Sequence, residues 1–192
     1  MDTNHRIVCQ FSCGAASAVA TKLILAQYGT SHQVEIVNAF IEEEHADNRR
    51  FLADCEEWFG RKVTVLKDER YGASTKQVFM KKRFMGGFKF GAPCSMALKK
   101  EVLDAWLLDA NADLRVHTPL IDRGLGKADC LAMIERAGIE LPLMYRLGYD
   151  NANCIGCVKG GEGYWNKIRR DFPDEFEALA VIQENIGSGA YL

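Results

Sequence analysis

Arg6-Ile7-Val8-Cys9-Gln10-Phe11-Ser12-Cys13-Gly14-Ala15-Ala16-Ser17-Ala18 reads as a short apolar strand that runs into small residues and then opens a helix. Ile7, Val8 and Phe11 suit a buried strand, Ser12 to Ala16 carry little side-chain bulk, and apolar residues recur at helical spacing from Ser17 to Tyr28. Small residues at a strand-to-helix turn let backbone N–H groups approach an anion, and the helix N-terminus adds a partial positive charge. The stretch therefore has two readings, a phosphate site or an ordinary strand–turn–helix packed closely through its small residues. It has neither the Gly-Lys-Ser/Thr ending of a P-loop nor the Gly-x-Gly-x-x-Gly spacing of a dinucleotide turn.

Outward from this unit the pattern repeats. Val34 to Ile41 is a second apolar strand, Asp47 to Gly60 an amphipathic helix with Phe51 and Trp58 as core residues, and Lys62 to Lys67 a third strand. Two strand–helix–strand units in succession imply right-handed crossovers and a parallel sheet. Glu42, Glu43, Glu44 and His45 follow the second strand, where ligands sit in open α/β sheets; a solvated acidic loop is the simpler reading of the three glutamates. Leu114 to Ile121, with His117 and Thr118 near its end, is expected to be a fourth strand. Arg123, Gly124, Gly126 and Lys127 then make a turn before a helix from Asp129 to Ala137.

At 192 residues the chain is long enough for one well-buried domain, and a single domain spanning 1–192 is expected, with a Cys-rich segment at about 150–192. Its 24 basic and 26 acidic residues leave a net charge of -2, so no global basic field points to nucleic acid. No apolar run approaches the roughly 20 residues of a membrane span, and Met1 to His5 do not open a signal peptide; a cytosolic protein is expected. Seven cysteines in such a chain favour metal binding or reactive thiols over a disulfide framework. Cys9 in the first strand and Cys55 on the second helix read as small buried hydrophobes, and so does Cys130.

Between Glu69 and Pro93 the periodicity breaks. Lys76, Lys81, Lys82, Arg83 and Lys89 alternate with Val78, Phe79, Met80, Phe84, Met85, Phe88 and Phe90. Interleaved cations and aromatics grip a nucleic-acid strand or phosphates, and they equally describe a mobile loop whose aromatics pack inward while the lysines stay solvated, or a substrate lid. Ala92 to Glu101 begins another helix with Ser95 as its N-cap, and Cys94 lies just before that start, where a thiolate is favoured. Cys13, at the start of the first helix, reads either as a second reactive thiol or as a small residue replacing glycine. The last strong signal is Asn151-Ala-Asn-Cys154-Ile-Gly-Cys157-Val-Lys-Gly-Gly161, a C-x-x-C turn from which both sulfurs can reach one metal, though a redox pair or two packed cysteines would have the same spacing.

Ser12-Cys13-Gly14-Ala15-Ala16-Ser17 resembles the Ser-Gly-Gly-x-Asp-Ser pyrophosphate loop of the N-type ATP pyrophosphatases, part of the adenine nucleotide alpha hydrolase superfamily. Pro93-Cys94-Ser95 with Leu98-Lys99, then Thr118-Pro119-Leu120-Ile121, Gly138-Ile139, Pro142, Tyr145, Gly148 and the C-x-x-C turn, is similar in order to its phosphoadenosine phosphosulfate (PAPS) reductase-like branch. The resemblance implies an α/β fold: a Rossmann-like (HUP-type) open, mostly parallel sheet with helices on both faces. It implies an adenine nucleotide, whether ATP, AMP or a PAPS-like molecule, bound by Phe11, Ser12, Gly14, Ala15, Ala16 and Ser17, with Asn38 and Phe40 at the strand end that holds the adenine. It also implies that Cys94, Cys154 and Cys157 converge on an iron–sulfur cluster of the 4Fe–4S kind, in preference to zinc, with Cys130 or Cys13 as a possible fourth ligand.

Three departures shape the expected function. Ala16 stands where the family has Asp and cannot help hold magnesium, which counts against ATP cleavage but not nucleotide binding. Cys13 replaces a glycine. The final residues Asn185 to Leu192 lack the Glu-Cys-Gly motif of thioredoxin-dependent reductases. The expectation is a sulfurtransferase or sulfonucleotide-reducing oxidoreductase, with Cys13, Lys99, Arg123 and Lys127 as catalytic or anion-contacting groups and Lys159 as a further anion contact. The alternatives are a nucleotide-binding module with structural zinc, or a nucleic-acid thiolation enzyme that uses Tyr71 to Phe90 as its contact surface. Oligomerisation is compatible with all three.

Overall fold

The computed structural model describes residues 6–87, 91–107 and 116–191. It is an α/β protein in which a small open sheet has the strand order β1-β2-β3, with β1 at Arg6–Gln10, β2 at Gln33–Ala39 and β3 at Thr64–Leu66. β1 and β2 run parallel, from Arg6 opposite Gln33 to Gln10 opposite Val37. One more bond, from Phe11 N–H to the Val37 carbonyl at 2.8 Å, carries the ladder to the edge of the turn. The chain forms two compact units, each made of separate segments: Met1–Asn38, Ala46–Val65 and Asp109–Ala152 in the first; Ala39–His45, Leu66–Leu108 and Asn153–Leu192 in the second.

The first unit is organised by residues that the strand and helix periods place on one face. Ile7 and Cys9 alternate inward on β1, Val34 and Ile36 on β2, and α1 (Ala15–Tyr28) turns Ala15, Ala18, Val19 and Ile24 toward them. On α2 (Asp47–Phe59) the buried apolar residues are Phe51, Leu52, Cys55 and Phe59, and Gly60 ends the helix in the left-handed region at φ 66°. Trp58, expected in the core, is only half-buried. Phe59 takes that place, meeting Phe11 edge-on at 5.5 Å, while Trp58 lies under the Lys22 ammonium at 5.4 Å. Cys130 and Ile134 on α6 (Lys127–Arg136) complete the core.

The expected fourth strand does not form in the described part of its range. Val116 to Thr118 have no ladder, Pro119 lacks an amide to donate, and Ile121–Arg123 is a single 3-10 turn. Val116 and Ile121 are 87% and 78% exposed, so the apolar pattern there marks surface rather than core. Leu114 and Arg115 lie outside the described residues.

In the second unit, the stretch expected as a mobile loop with inward-packed aromatics, or as a lid, instead holds a helix, α3 (Thr75–Lys82), and a two-residue strand, β4 (Met85–Gly86). Val78, Phe79 and Met85 are buried and pack inward, while Met80 is 43% exposed. Phe88, Lys89 and Phe90 lie outside the described residues. β4 pairs in parallel with β5 (Ala190–Tyr191). Beyond Ala92 the chain is helical from Pro93, which fills the first-turn position where its missing N–H costs nothing. Ser95 thus lies inside the helix rather than capping it. The backbone runs from α4 (Pro93–Ser95) through a π turn at Met96–Lys100 into α5 (Glu101–Leu107). α7 (Leu143–Arg146) belongs to the first unit, α8 (Glu162–Asp171) and α9 (Pro173–Ile186) to the second. Among the described residues no helix is long and apolar enough to cross a membrane.

Candidate functional site

The turn between β1 and α1 is held by its own polar atoms. Ser17 Oγ accepts from the Ser12 N–H at 3.2 Å and donates to the Gly14 carbonyl at 2.9 Å, and Ser12 Oγ lies 3.2 Å from Ser17 Oγ. Beneath it, Asn38, 1% exposed, donates to the Phe11 carbonyl at 2.8 Å and reaches Cys13 Sγ at 3.6 Å, while Arg49 donates to the Asn38 side-chain carbonyl at 3.3 Å. Cys13 sits in the left-handed region at φ 55°, where glycine is the easier residue, and its side chain is wholly buried. A thiol enclosed in this way cannot reach a substrate without an opening of the core.

Gly14 supplies no side-chain cap to α1, whose N-terminus carries the partial positive charge that favours an anion. The Ala15 N–H donates to the Tyr145 hydroxyl at 3.3 Å, an oxygen set where a phosphate oxygen would be expected to bind. Ser12 and Ala16 are exposed, Gly14 and Ser17 half-buried, Phe11 and Ala15 buried. Of the other expected groups in this unit, Arg123 donates to the Pro119 carbonyl and to Gln27, and Lys127 pairs with Asp150 at 3.1 Å, both on the surface. Cys130 is 1% exposed among Ile134 and its neighbours.

The second unit gathers the expected thiols. Cys94 and Cys154 both pack against Ile41, Val78, Ala97 and Leu98. Burial pushes the Cys94 thiol above its usual range, and the nearby Cys157 sulfur adds to this while Lys159 opposes it. Burial likewise raises Cys154, reinforced by the Glu44 carboxylate and by the Cys157 and Cys94 sulfurs, with Lys99 pulling the other way. All three sulfurs therefore lie within electrostatic reach of one another, although residues 94 and 154 belong to distant parts of the chain. Lys99, on the π turn, stands 3.5 Å from Glu44, whose side chain is 3% exposed. Burial would lower the Lys99 ammonium, but Glu44 and then the Cys154 sulfur more than offset it, and its pKa stands above the ordinary lysine value.

The C-x-x-C turn is clamped. The Cys157 N–H donates to the Tyr164 hydroxyl at 2.9 Å, and that hydroxyl donates to the Cys154 carbonyl at 2.8 Å. Gly156 adopts φ 78°, and a Cβ there would lie 2.0 Å from Leu179 Cδ1. Ile155 N–H donates to the Glu43 carbonyl at 2.8 Å, while the Glu43 carboxylate accepts from Ser74 Oγ at 2.6 Å and Thr75 N–H at 2.8 Å, capping α3.

Tyr164 carried no signal as a site residue, whereas Glu43 and Glu44 stood where ligands sit in open α/β sheets but read more simply as solvated loop. The acidic run looked like solvent-facing loop, and only its downstream partners reveal Glu43 as a cap and Glu44 as a buried counter-ion. Phe40 lies under the Lys67 ammonium at 4.9 Å, and its N–H donates to the Leu66 carbonyl at 2.8 Å. Along the basic–aromatic segment, Arg70 pairs with Asp68 and Glu101, Lys76 with Glu175, and Lys81 donates to the Arg70 carbonyl. These cations are engaged within the protein.

The donor chemistry of the trio fits a sulfur-ligated centre, since thiolates are the soft ligands that iron–sulfur clusters and zinc select. Trp165 leaves a buried indole N–H without an acceptor among the described residues, in the apolar cluster that also takes Cys94, as would suit a group that brings acceptors of its own. Among the described residues no three His, Cys, Asp or Glu side chains form a group that could hold a metal ion. One zinc would draw three sulfurs to within about 4 Å of each other, given Zn–S bonds of about 2.3 Å; a cluster takes each thiolate on a separate iron. No protein-family model and no curated protein matches the chain.

Proposed function

We propose that the chain is an adenine-nucleotide-binding enzyme of the PAPS reductase-like kind, built on a Rossmann-like sheet, that performs sulfur transfer or sulfonucleotide reduction at a 4Fe–4S cluster held by Cys94, Cys154 and Cys157. The observation that carries the reading is that Cys94 and Cys154, from distant parts of the chain, pack half-buried against one apolar cluster, with Cys157 on the same turn as Cys154 and the Lys99–Glu44 pair in the same unit. When bound, such a cluster supplies electrons or an iron with an open position for sulfur.

The chain's own residues divide the remaining work. Ser12, Gly14, Ala15, Ala16 and Ser17 form the turn at the N-terminus of α1 that takes the phosphate oxygens, which would displace the Tyr145 hydroxyl from the Ala15 N–H, and Ser17 keeps the turn in shape. Phe11 and Asn38 lie at the ends of β1 and β2, where the adenine would be held. Lys99 carries positive charge beside the sulfurs and keeps it, because Glu44 is its partner. With alanine at position 16 the turn lacks a carboxylate for magnesium, which favours nucleotide binding over ATP cleavage.

Protein purified without oxygen tests this directly. The expected product is brown, absorbs broadly in the visible, and contains iron and acid-labile sulfide that Cys94→Ser, Cys154→Ser or Cys157→Ser removes. Colourless protein with stoichiometric zinc would overturn the cluster in favour of a nucleotide-binding module with a structural metal, and protein holding neither would overturn both.

A further inference from the structure

We infer that Tyr164 is the positioning residue of the cysteine centre: its hydroxyl locks the Cys154–Cys157 turn into one conformation before any metal arrives. The inference rests on the cysteine centre proposed above and goes beyond it, since it assigns a role to a residue that binds neither metal nor nucleotide.

The hydroxyl bridges the turn. It accepts from the Cys157 N–H at 2.9 Å and donates to the Cys154 carbonyl at 2.8 Å, with the Gly156 backbone as a further partner, so its hydrogen bonds go to the backbone of the turn itself. Rotation of either cysteine's peptide plane, which would re-aim its sulfur, breaks one of these bonds. The ring is fixed as firmly as the hydroxyl. A Cβ on Gly160 would lie 2.1 Å from Tyr164 Cδ1, so the chain leaving the turn passes directly against the ring face, and Trp165 meets it edge-on at 5.8 Å. Leu179 fills the space under Gly156 from the other direction. The turn thus has a fixed floor, a fixed exit and one polar bracket.

Phenylalanine at position 164 keeps the ring and removes only the bracket. Groups that orient metal ligands through a second layer of hydrogen bonds typically contribute 10–100-fold in metal affinity. Tyr164→Phe should accordingly lose iron to a chelator roughly 10–100-fold more readily than wild type, and the electron paramagnetic resonance spectrum of the reduced centre should broaden or shift. The melting temperature of the metal-free protein should fall by only a few degrees, because the ring packing is kept and only the hydroxyl's hydrogen bonds are lost.

The decisive readout needs no metal. In reduced, metal-free full-length protein, iodoacetamide modification of Cys154 and Cys157, followed by peptide mass spectrometry, should run roughly tenfold faster in Tyr164→Phe than in wild type, as loss of two hydrogen bonds frees the turn. Gly160→Ala serves as a second variant, displacing the ring without deleting the hydroxyl, and should give a change in the same direction. Unchanged modification rates in both variants would overturn the inference even if the wild-type protein binds a cluster. Faster modification in a protein that binds no metal would uphold the lock and remove only the cluster.

Discussion

In the Ser12–Ser17 turn of the first unit the bonds that shape the turn run among its own atoms, Ser12, Gly14 and Ser17, while the first helix amide goes to the Tyr145 hydroxyl and Asn38 supports Cys13 from below. In the Cys154–Cys157 turn of the second unit the bonds come from outside: Tyr164 brackets it, Glu43 receives the Ile155 N–H, and Leu179 fills the space under Gly156. The contrast follows from what each would hold. An anion is gripped by main-chain dipoles that need no side chain to aim them. Sulfur ligands are side chains on rotatable bonds, and their aim must be imposed by packing around them.

The sharpest way to break the comparison is Gly156→Ala. The substitution forces a β-carbon into the left-handed region and onto Leu179, and should cost about 3 kcal/mol or more from backbone strain and overpacking together, read as a lowered urea midpoint and a loss of bound metal. A small effect would mean that the second turn is no more rigidly built than the first.

Acid separates the two units next. Asp47 titrates at about 2 instead of its ordinary 3.8, chiefly because Arg50 hydrogen-bonds to it, with the Leu143 N–H at 2.7 Å as a further donor. Its contribution to stability is complete above about pH 4 and is lost as the pH falls through about 2, up to about 2 kcal/mol. Because Leu143 opens the short helix that carries Tyr145, hydrogen exchange should rise around residues 141–149 over this interval, ahead of residues 154–164, and Asp47→Asn should abolish the difference. Simultaneous loosening of both segments would count against it.

The smallest effect is expected from Ser17→Ala. It removes an acceptor for the Ser12 N–H and a donor to the Gly14 carbonyl on a half-exposed turn, for about 0.5–1 kcal/mol of stability. Binding of AMP or ATP, followed by calorimetry, should weaken roughly fivefold, since one hydrogen bond to a charged group is lost or misdirected. Unaltered binding would move the nucleotide away from this turn.

Local pattern carried the sequence reading as far as local physics reaches. β1, the small-residue turn and α1 were legible because alternation, bulk and helical period all change within a few residues. The helix at Asp47 and its stop at Gly60 were legible for the same reason. What failed depended on partners far along the chain. α3 was hidden because its buried Val78 and Phe79 sit among lysines, and although Ser74 caps it locally, the Glu43 carboxylate that also holds its first turn lies over thirty positions earlier. Leu114 to Ile121 has the composition of a strand, yet whether an apolar run is buried is decided by what covers it, and Val116 and Ile121 are uncovered. Trp58 and Phe59 are adjacent on one helix, and the choice of which turns inward rests with Phe11. The C-x-x-C spacing announced itself, whereas its bracket was one tyrosine among 6.

The π turn at Met96–Lys100 has a geometric consequence of its own. A single surplus residue in a helical turn swings everything after it by about 100° relative to an unbroken rod. Lys99 meets Glu44 at one level, while a turn further on Leu103 is buried and Glu101 reaches Arg70. One stretch of backbone thereby serves two azimuths at once, with the wide turn acting as a swivel between them. Excising a residue there would straighten the rod, and either the ammonium or the leucine would have to give up its neighbour.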